Sequence, residues 1–351
     1  RVAPDSLVVW ADTLSSDSIV ADSLTGDTLA VRDTTRKGSM LEAPIKGKNR
    51  DSLVFNVRDK MVYVYGEGDI TYQTMNMKAD YMRINMDTRV IRAYGVNDTV
   101  DNKPVVTRPE FTENGKTYYY AQDTNKKVTG LRSIDGKLYY FDANGVKQDN
   151  VTFGIDVSKY QSGLDWNKIK KSGVSFVIIR IGYRGYGAAG NLVKDPMFEE
   201  HFTNARNAGL KVGVYFFTQA VTEDEAREEA QGCNWVLNGR KLDYPIYYDT
   251  EASTSPNGTG RADGLGKEDR TKCAIAFCEE VKDLGYKPGV YASTTWFRKR
   301  VDLDALRKYT IWNAHYGVSS SPIDCDMWQG TEKARINGYS GELDANISYM
   351  G

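Results

Sequence analysis

Histidine is almost absent: His201 and His315 are the only two in 351 residues. They lie too far apart in sequence to suggest a metal pair, so no metal site is expected. Ser158 and Ser253 have no evident His and Asp constellation beside them, which argues against serine hydrolysis. The four cysteines, Cys233, Cys273, Cys278 and Cys325, form no CxxC pair. Neither a zinc knuckle nor a thioredoxin-type site is therefore suggested, and buried free thiols are the favoured reading over a disulfide. The glycine-rich stretch 182–190 lacks a GK[ST] ending, so it reads as a mobile rim loop rather than a phosphate cradle.

Long apolar runs are missing too, and nothing approaches the ~20 residues of a membrane span. The chain opens on Arg1 without a hydrophobic leader, as expected for a mature or trimmed secreted product. Charge of one sign is not in excess. Lys plus Arg number 46 and Asp plus Glu 47, giving a net charge of −1. No overall field draws in nucleic acid or anionic membrane, so partners must come from local sites.

What is present falls into four zones. The first zone is 1–50, of which residues 1–38 repeat an acid-hydroxyl-aliphatic triplet, as in Asp12-Thr13-Leu14 and Asp22-Ser23-Leu24. Isolated aliphatics bury too little to offset backbone ordering, and a disordered tether is expected. The second zone is 51–110, where from about 51 to 96 the pattern alternates with period two between Asn, Asp and Gly, which predicts a small antiparallel meander. Its segment "GEGDITYQTMNMKADYMRINMDTRVIRAYG" resembles the OstA-like β-modules of lipopolysaccharide transport.

Within 111–150 a repeat appears. Asn114-Gly115-Lys116-Thr117-Tyr118-Tyr119-Tyr120 recurs 21 residues later as Asp135-Gly136-Lys137-Leu138-Tyr139-Tyr140-Phe141. A glycine turn followed by aromatics at this period predicts stacked hairpins. They resemble the cell-wall-binding repeats related to choline-binding repeats. Leu131 stands where such repeats usually open with tryptophan, which counts against choline; choline or a wall polysaccharide bound at 114–148, or a purely structural linker, are the readings.

From 151 to 351 apolar strands alternate with amphipathic helices. Strands are expected at 153–158, 175–182, 211–217, 245–251, 288–293, 309–315, 324–329 and 342–347, with helices at 165–171, 196–208, 222–237 and 267–284. This alternation predicts an α/β fold, an irregular TIM-like (β/α) barrel preceded by small β-rich modules. It is irregular because the last connections are too short for full helices.

Chemistry in such barrels gathers where strands end. Asp156 in "FGIDVSKYQ", Asp249 and Glu251 in "YPIYYDTEAS", and Asp344 in "GELDANIS" sit at expected strand ends. Asp249 and Glu251 are two apart and point to one side, so they cannot both ionise freely. One acid beside one anion is what glycosidic cleavage requires.

The ordered stretches "GIDVSKYQ", "SFVIIRIGYR", "GLKVGVYFF", "YPIYYDTEAS", "KPGVYASTTWF", "IWNAHYG", "DMWQG" and "LDANI" resemble the family 25 glycoside hydrolases, the Chalaropsis-type lysozymes. The resemblance implies cleavage of the β-1,4 bond between N-acetylmuramic acid and N-acetylglucosamine in peptidoglycan, outside the cell or at its wall. It further implies that Glu251 is the general acid and Asp249 stabilises the reacting N-acetyl group or the developing cation. Asp156 and Asp344 would complete the cluster. Tyr215, Tyr291, Trp312 and Trp328 would line the sugar groove, and Arg180 and Gln329 would bond sugar or peptide groups. No metal or organic cofactor is implied. The main rival is a non-catalytic wall-glycan-binding protein, whose signature would be loss of Asp249 or Glu251; a second rival makes 51–96 a lipid-carrier module.

Overall fold

The computed structural model describes residues 126–253 and 260–350 continuously, and before them the segments 7–10, 19–20, 29–30, 32–33, 46–49, 52–56, 60–72, 75–85, 90–94, 97–100, 103–106, 110–113 and 115–120. The chain forms two compact units. One comprises 1–129 with 140–148, the other 130–139 with 149–351.

In the first unit the period-two alternation becomes an antiparallel meander. Ser52–Asn56, Met61–Tyr72, Met75–Asn85 and Val90–Tyr94 pair in sequence order. Val64, Met82, Ile84 and Ala93 are at most 2% exposed, the one-sided burial that alternation produces. Most of residues 1–50, expected as a tether, lies outside the described residues. The described pieces are nevertheless paired strands: Leu7–Trp10 against Val90–Tyr94, Ile19–Val20 against Arg32–Asp33, and Leu29–Ala30 against Lys46–Lys48. Backbone pairing offers an order that counting aliphatic side chains overlooks.

The second unit is a closed eight-stranded barrel. Its strands are β1 (Thr152–Val157), β2 (Val174–Arg184), β3 (Lys211–Phe217), β4 (Ile246–Asp249), β5 (Pro288–Ser293), β6 (Thr310–Ala314), β7 (Met327–Ala334) and β8 (Leu343–Ser348). Strands β1 to β7 run parallel to their sequence neighbours. Strand β8 runs antiparallel to both β7 and β1 and closes the circle. Helices α1 (Trp166–Lys171), α2 (Phe198–Asn207), α3 (Glu223–Leu237), α4 (Lys267–Asp283), α5 (Thr294–Lys299) and α6 (Leu303–Leu306) make the crossovers as far as β6. No helix joins β6 to β7 or β7 to β8. That missing crossover permits the reversed last strand, because an antiparallel neighbour needs only a short loop.

Large rings fill the barrel interior. Phe176, Tyr247 and Trp312 are each at most 1% exposed. Glycines make room for them: a Cβ at Gly154 would lie 2.3 Å from the Phe176 ring, and one at Gly289 2.5 Å from that of Tyr247. Helix starts carry their own signals. The Asp165 carboxylate accepts from the Lys168 N–H, and the Thr222 hydroxyl accepts from that of Glu225. Asn238 ends α3 at φ 47°, the left-handed conformation tolerated by Asn. Cys233, Cys273 and Cys278 are buried free thiols, and Cys325 is a half-buried one.

Two expectations shift in register. The glycine-rich stretch 182–190 is partly strand: Gly182–Arg184 pairs with Leu192–Lys194, leaving only the turn between them at the rim. The boundary expected at 150 also moves, because residues 130–139 pack with the barrel. The Asn337 amide donates to the Gly136 carbonyl at 2.9 Å, the Arg335 amide donates to Ser133 Oγ at 2.9 Å, and Leu131 lies against Gly330. Asp135 and Gly136 both adopt positive φ, 49° and 72°, the twist of the tight hairpin turn that the Asp-Gly pair predicts.

Candidate active site

The carboxyl end of the parallel strands forms a cleft of about 270 Å³. Asp156, Arg180, Tyr215, Asp249, Glu251 and Asp344 all line it. Each arrives there for a local reason. Asp156 is the last residue but one of β1, Asp249 ends β4, and Glu251 follows two residues on, pointing to the same side. Asp344 comes from the start of β8, not a strand end. Because β8 is reversed, its beginning meets the ends of the others, and Asp344 pairs directly with Asp156 in the β1–β8 register.

Asp156 is 6% exposed and tightly held. The amides of Gln329 and Asn346 donate to its Oδ2 at 2.9 and 2.8 Å. These amides are held in turn. Gln329 Oε1 accepts from the Tyr291 and Tyr316 hydroxyls at 2.8 and 2.6 Å, and Asn346 Oδ1 accepts from Trp312 Nε1 at 2.8 Å. Burial raises the Asp156 carboxyl to about 6, and the two amide donors, which favour the anion, keep it from rising further. Asp344 lacks such donors, hydrogen-bonds Asp156 and is pushed up to about 9, first by burial and then by the Asp156 charge. A hydrogen bond between two carboxyls requires one proton, and Asp344 carries it.

On the other side of the cleft, burial and then the Asp156 charge push the Glu251 carboxyl up to about 7, with Arg180 pulling it back. Asp249 is 2% exposed, and its Oδ1 has no hydrogen-bond partner. Burial, followed by the neighbouring Glu251, raises it well above the ordinary carboxylate range. The site therefore combines an anchored anion at Asp156, a proton held at Asp344, and a neighbouring pair, Asp249 and Glu251, whose carboxyls are both raised.

The sugar-groove expectation is corrected in part. Tyr215 lines the cleft, half-buried. Trp312 and Trp328 are 1% and 0% exposed and offer no face to a sugar. Trp312 packs against Tyr215, Tyr247 and Tyr291 at ring distances of 6.2, 5.0 and 4.5 Å. Trp328 donates its indole N–H to the His315 carbonyl at 2.8 Å. Trp312 points into the closed barrel and becomes core, bracing Asp156 from behind through Asn346, whereas Trp328 lies beside Leu131 on the opposite side of its strand. Tyr291 and Gln329 are likewise buried, as links to Asp156. The cleft wall is built instead from Tyr160, Tyr183, Tyr186 and Phe217, which sequence reading missed. Tyr160 is 71% exposed, and its place in "SKYQ", directly after the Asp156 strand, was the available signal.

Among the described residues no group of three or more His, Cys, Asp or Glu side chains is arranged to hold a metal. His201 is buried, with Nε2 3.1 Å from the Ser158 carbonyl oxygen.

A carboxylate cluster with one buried arginine, at the mouth of an eight-stranded barrel whose last strand is reversed, defines a glycosidase-type acid site. The chain belongs to glycosyl hydrolases family 25, whose model matches residues 155–339, more than half of the chain. A putative cell wall binding repeat matches 129–147. The autolytic lysozyme of Clostridium acetobutylicum is 26% identical over 193 residues, covering 54% of this chain and 54% of that protein. Lysozyme M1 of Streptomyces globisporus is 27% identical over 205 residues, covering 55% and 66%. The chain thus matches between about half and two thirds of these relatives' length. The modular autolysin LytC of Streptococcus pneumoniae shares the fold with a TM-score of 0.55 at 21% identity, over 85% of this chain and 72% of that one.

Proposed function

We propose that this chain hydrolyses the β-1,4 bond between N-acetylmuramic acid and N-acetylglucosamine in bacterial peptidoglycan, acting outside the cell or at its wall. The carrying observation is the pairing of Glu251, its proton held to about neutral pH, with Asp249 on the same strand end. Glu251 is the general acid: its proton passes to the glycosidic oxygen as the bond to the sugar carbon breaks, and a water then bonds its oxygen to that carbon and returns a proton to the site. Asp249 meets the positive charge that develops on the sugar, or orients the N-acetyl group that shares it. As that cation forms, it draws the Asp249 carboxyl toward its anionic form, so its raised value in the free site is compatible with this role. The Asp156–Asp344 pair sets the field around Glu251. Arg180, Tyr215 and the tyrosine wall hold the glycan.

The repeat supports attachment to wall polymers. Lys127 Nζ already lies 3.7 Å from the Tyr118 ring centroid. A cation on that face favours wall polysaccharide over choline as the ligand.

The test is release of reducing ends from purified peptidoglycan, with mass spectrometry of the fragments. Glu251→Gln, nearly isosteric, is expected to lower turnover by at least about a hundredfold while leaving folding and wall binding intact. Near-normal turnover in that variant overturns the assignment. No release by the parent chain favours the glycan-binding rival.

A further inference from the structure

One end of the cleft differs from the acidic floor. Lys159, Tyr160, Arg180 and Tyr183 line it together. Arg180 lies 5.2 and 5.4 Å from the ring centroids of Tyr160 and Tyr183, and Lys159 Nζ lies 5.3 and 5.1 Å from the same two rings. Two cations therefore converge on one ring pair. The arrangement is fixed from below by Asp195, which is wholly buried. Asp195 Oδ2 accepts from Arg180 Nε at 2.6 Å and from the Lys159 amide at 3.1 Å, and Oδ1 accepts from the Met197 amide at 2.9 Å.

Asp195 engages only one edge of the guanidinium. Arg180 is 8% exposed, and its buried Nη2 has no hydrogen-bond partner. An unpaired buried donor is costly, and more so when charged, so the site is organised for an acceptor that arrives from outside. Nη2 does not bond Asp249 or Glu251, although both line the same cleft. A planar guanidinium edge beside a lysine ammonium suits a carboxylate.

We propose that Arg180 and Lys159, seated on the Tyr160–Tyr183 ring pair, form a carboxylate subsite that selects glycan bearing a free carboxylate on or beside the muramyl sugar. This rests on the peptidoglycan reading for its ligand, but not on cleavage. The carboxylate has two sources: the lactyl group of a sugar stripped of peptide, or the stem peptide where the lactyl group is amidated.

The experiment measures binding to the full chain carrying Glu251→Gln, by calorimetry. Three glycans are compared: peptide-free strands with the lactyl carboxylate, the same strands capped as methylamides, and strands with intact stems. Capping is expected to weaken binding about tenfold. Lys159→Met, a half-exposed position whose ammonium makes no ion pair among the described residues, is expected to weaken the uncapped glycan about fivefold and the capped one less than twofold. Intact stems binding like the uncapped strands would identify the stem as the source, and binding like the capped strands the lactyl group; both support the subsite. Equal affinity for all three glycans, or an equal loss on capped and uncapped strands in Lys159→Met, overturns it. If selectivity holds while the parent chain releases no reducing ends, the subsite stands and the muramidase reading falls.

Discussion

At the scale of single residues, the site depends on unequal treatment of similar groups. Asp156 and Asp344 are paired across two strands, yet two amides hold one as an anion and leave the other with the proton. Glu251, pushed up to about 7, must be protonated to act, and Asp156, at about 6, must be ionised. The plot of kcat/KM against pH is therefore expected to be a narrow bell, falling below about 6 and above about 7, measured on soluble glycan at constant ionic strength. The same shift bears on stability. Glu251 has a folded value above its ordinary 4.5, so the folded chain binds the extra proton. Its contribution is fully present below about 4.5 and is lost as pH rises to about 7. Glu251→Gln should thus raise Tm by a few degrees at pH 8 and change it little at pH 4 by calorimetry. An equal shift at both values would mean that titration of Glu251 is not the cause.

At the scale of elements, α3 is bound to the end of β2 through buried charge. Arg184 Nε donates to Glu229 Oε1 at 2.8 Å, and the Thr218 hydroxyl donates to Glu229 Oε2 at 2.7 Å. Arg184 also reaches Glu228 and the Glu225 carbonyl. Glu229 is wholly buried and Arg184 is 3% exposed. Glu229→Ala would leave the guanidinium buried beside an empty space, at a cost of about 3–5 kcal/mol in urea unfolding. Glu228→Ala, at an exposed partner, should cost under about 1 kcal/mol. Elements also show where pattern reading stopped. The strands and longer helices expected from 152 to 314 follow the apolar periodicity closely, because β2 (VSFVIIRIGYR) is buried on both faces and α3 and α4 on one, whereas the strand Leu192–Lys194 and the short α5 and α6 span too few residues to show a period. Periodicity does not report strand direction, so the reversal of β8 was not legible.

At the scale of the whole molecule, the hairpin strand Gly130–Ile134 belongs with the barrel although the repeat pattern assigns it to the preceding module. A Cβ at Gly130 would lie 2.2 Å from the Val318 carbonyl oxygen, and Ile134 and Leu131 are at most 3% exposed. A fragment 151–351 should fold but melt several degrees below a fragment 130–351, since it exposes the surface that Leu131 covers. Equal melting would show that the hairpin contributes nothing to the barrel.

The barrel class, the family resemblance and the identity of the four carboxyl residues can be read along the chain. Those rest on alternation, and on acids placed in an ordered series of motifs, both local properties of the chain. Folding alone set Asp344 beside Asp156 with a hydrogen bond between them. It alone turned Trp312, Tyr291 and Gln329 into the support behind Asp156 and made Tyr160 and Tyr183 the cleft wall. These outcomes depend on which side of a closed sheet a ring faces and on the direction of one strand. Neither is written in the spacing of residues along the chain; both are set when the barrel closes.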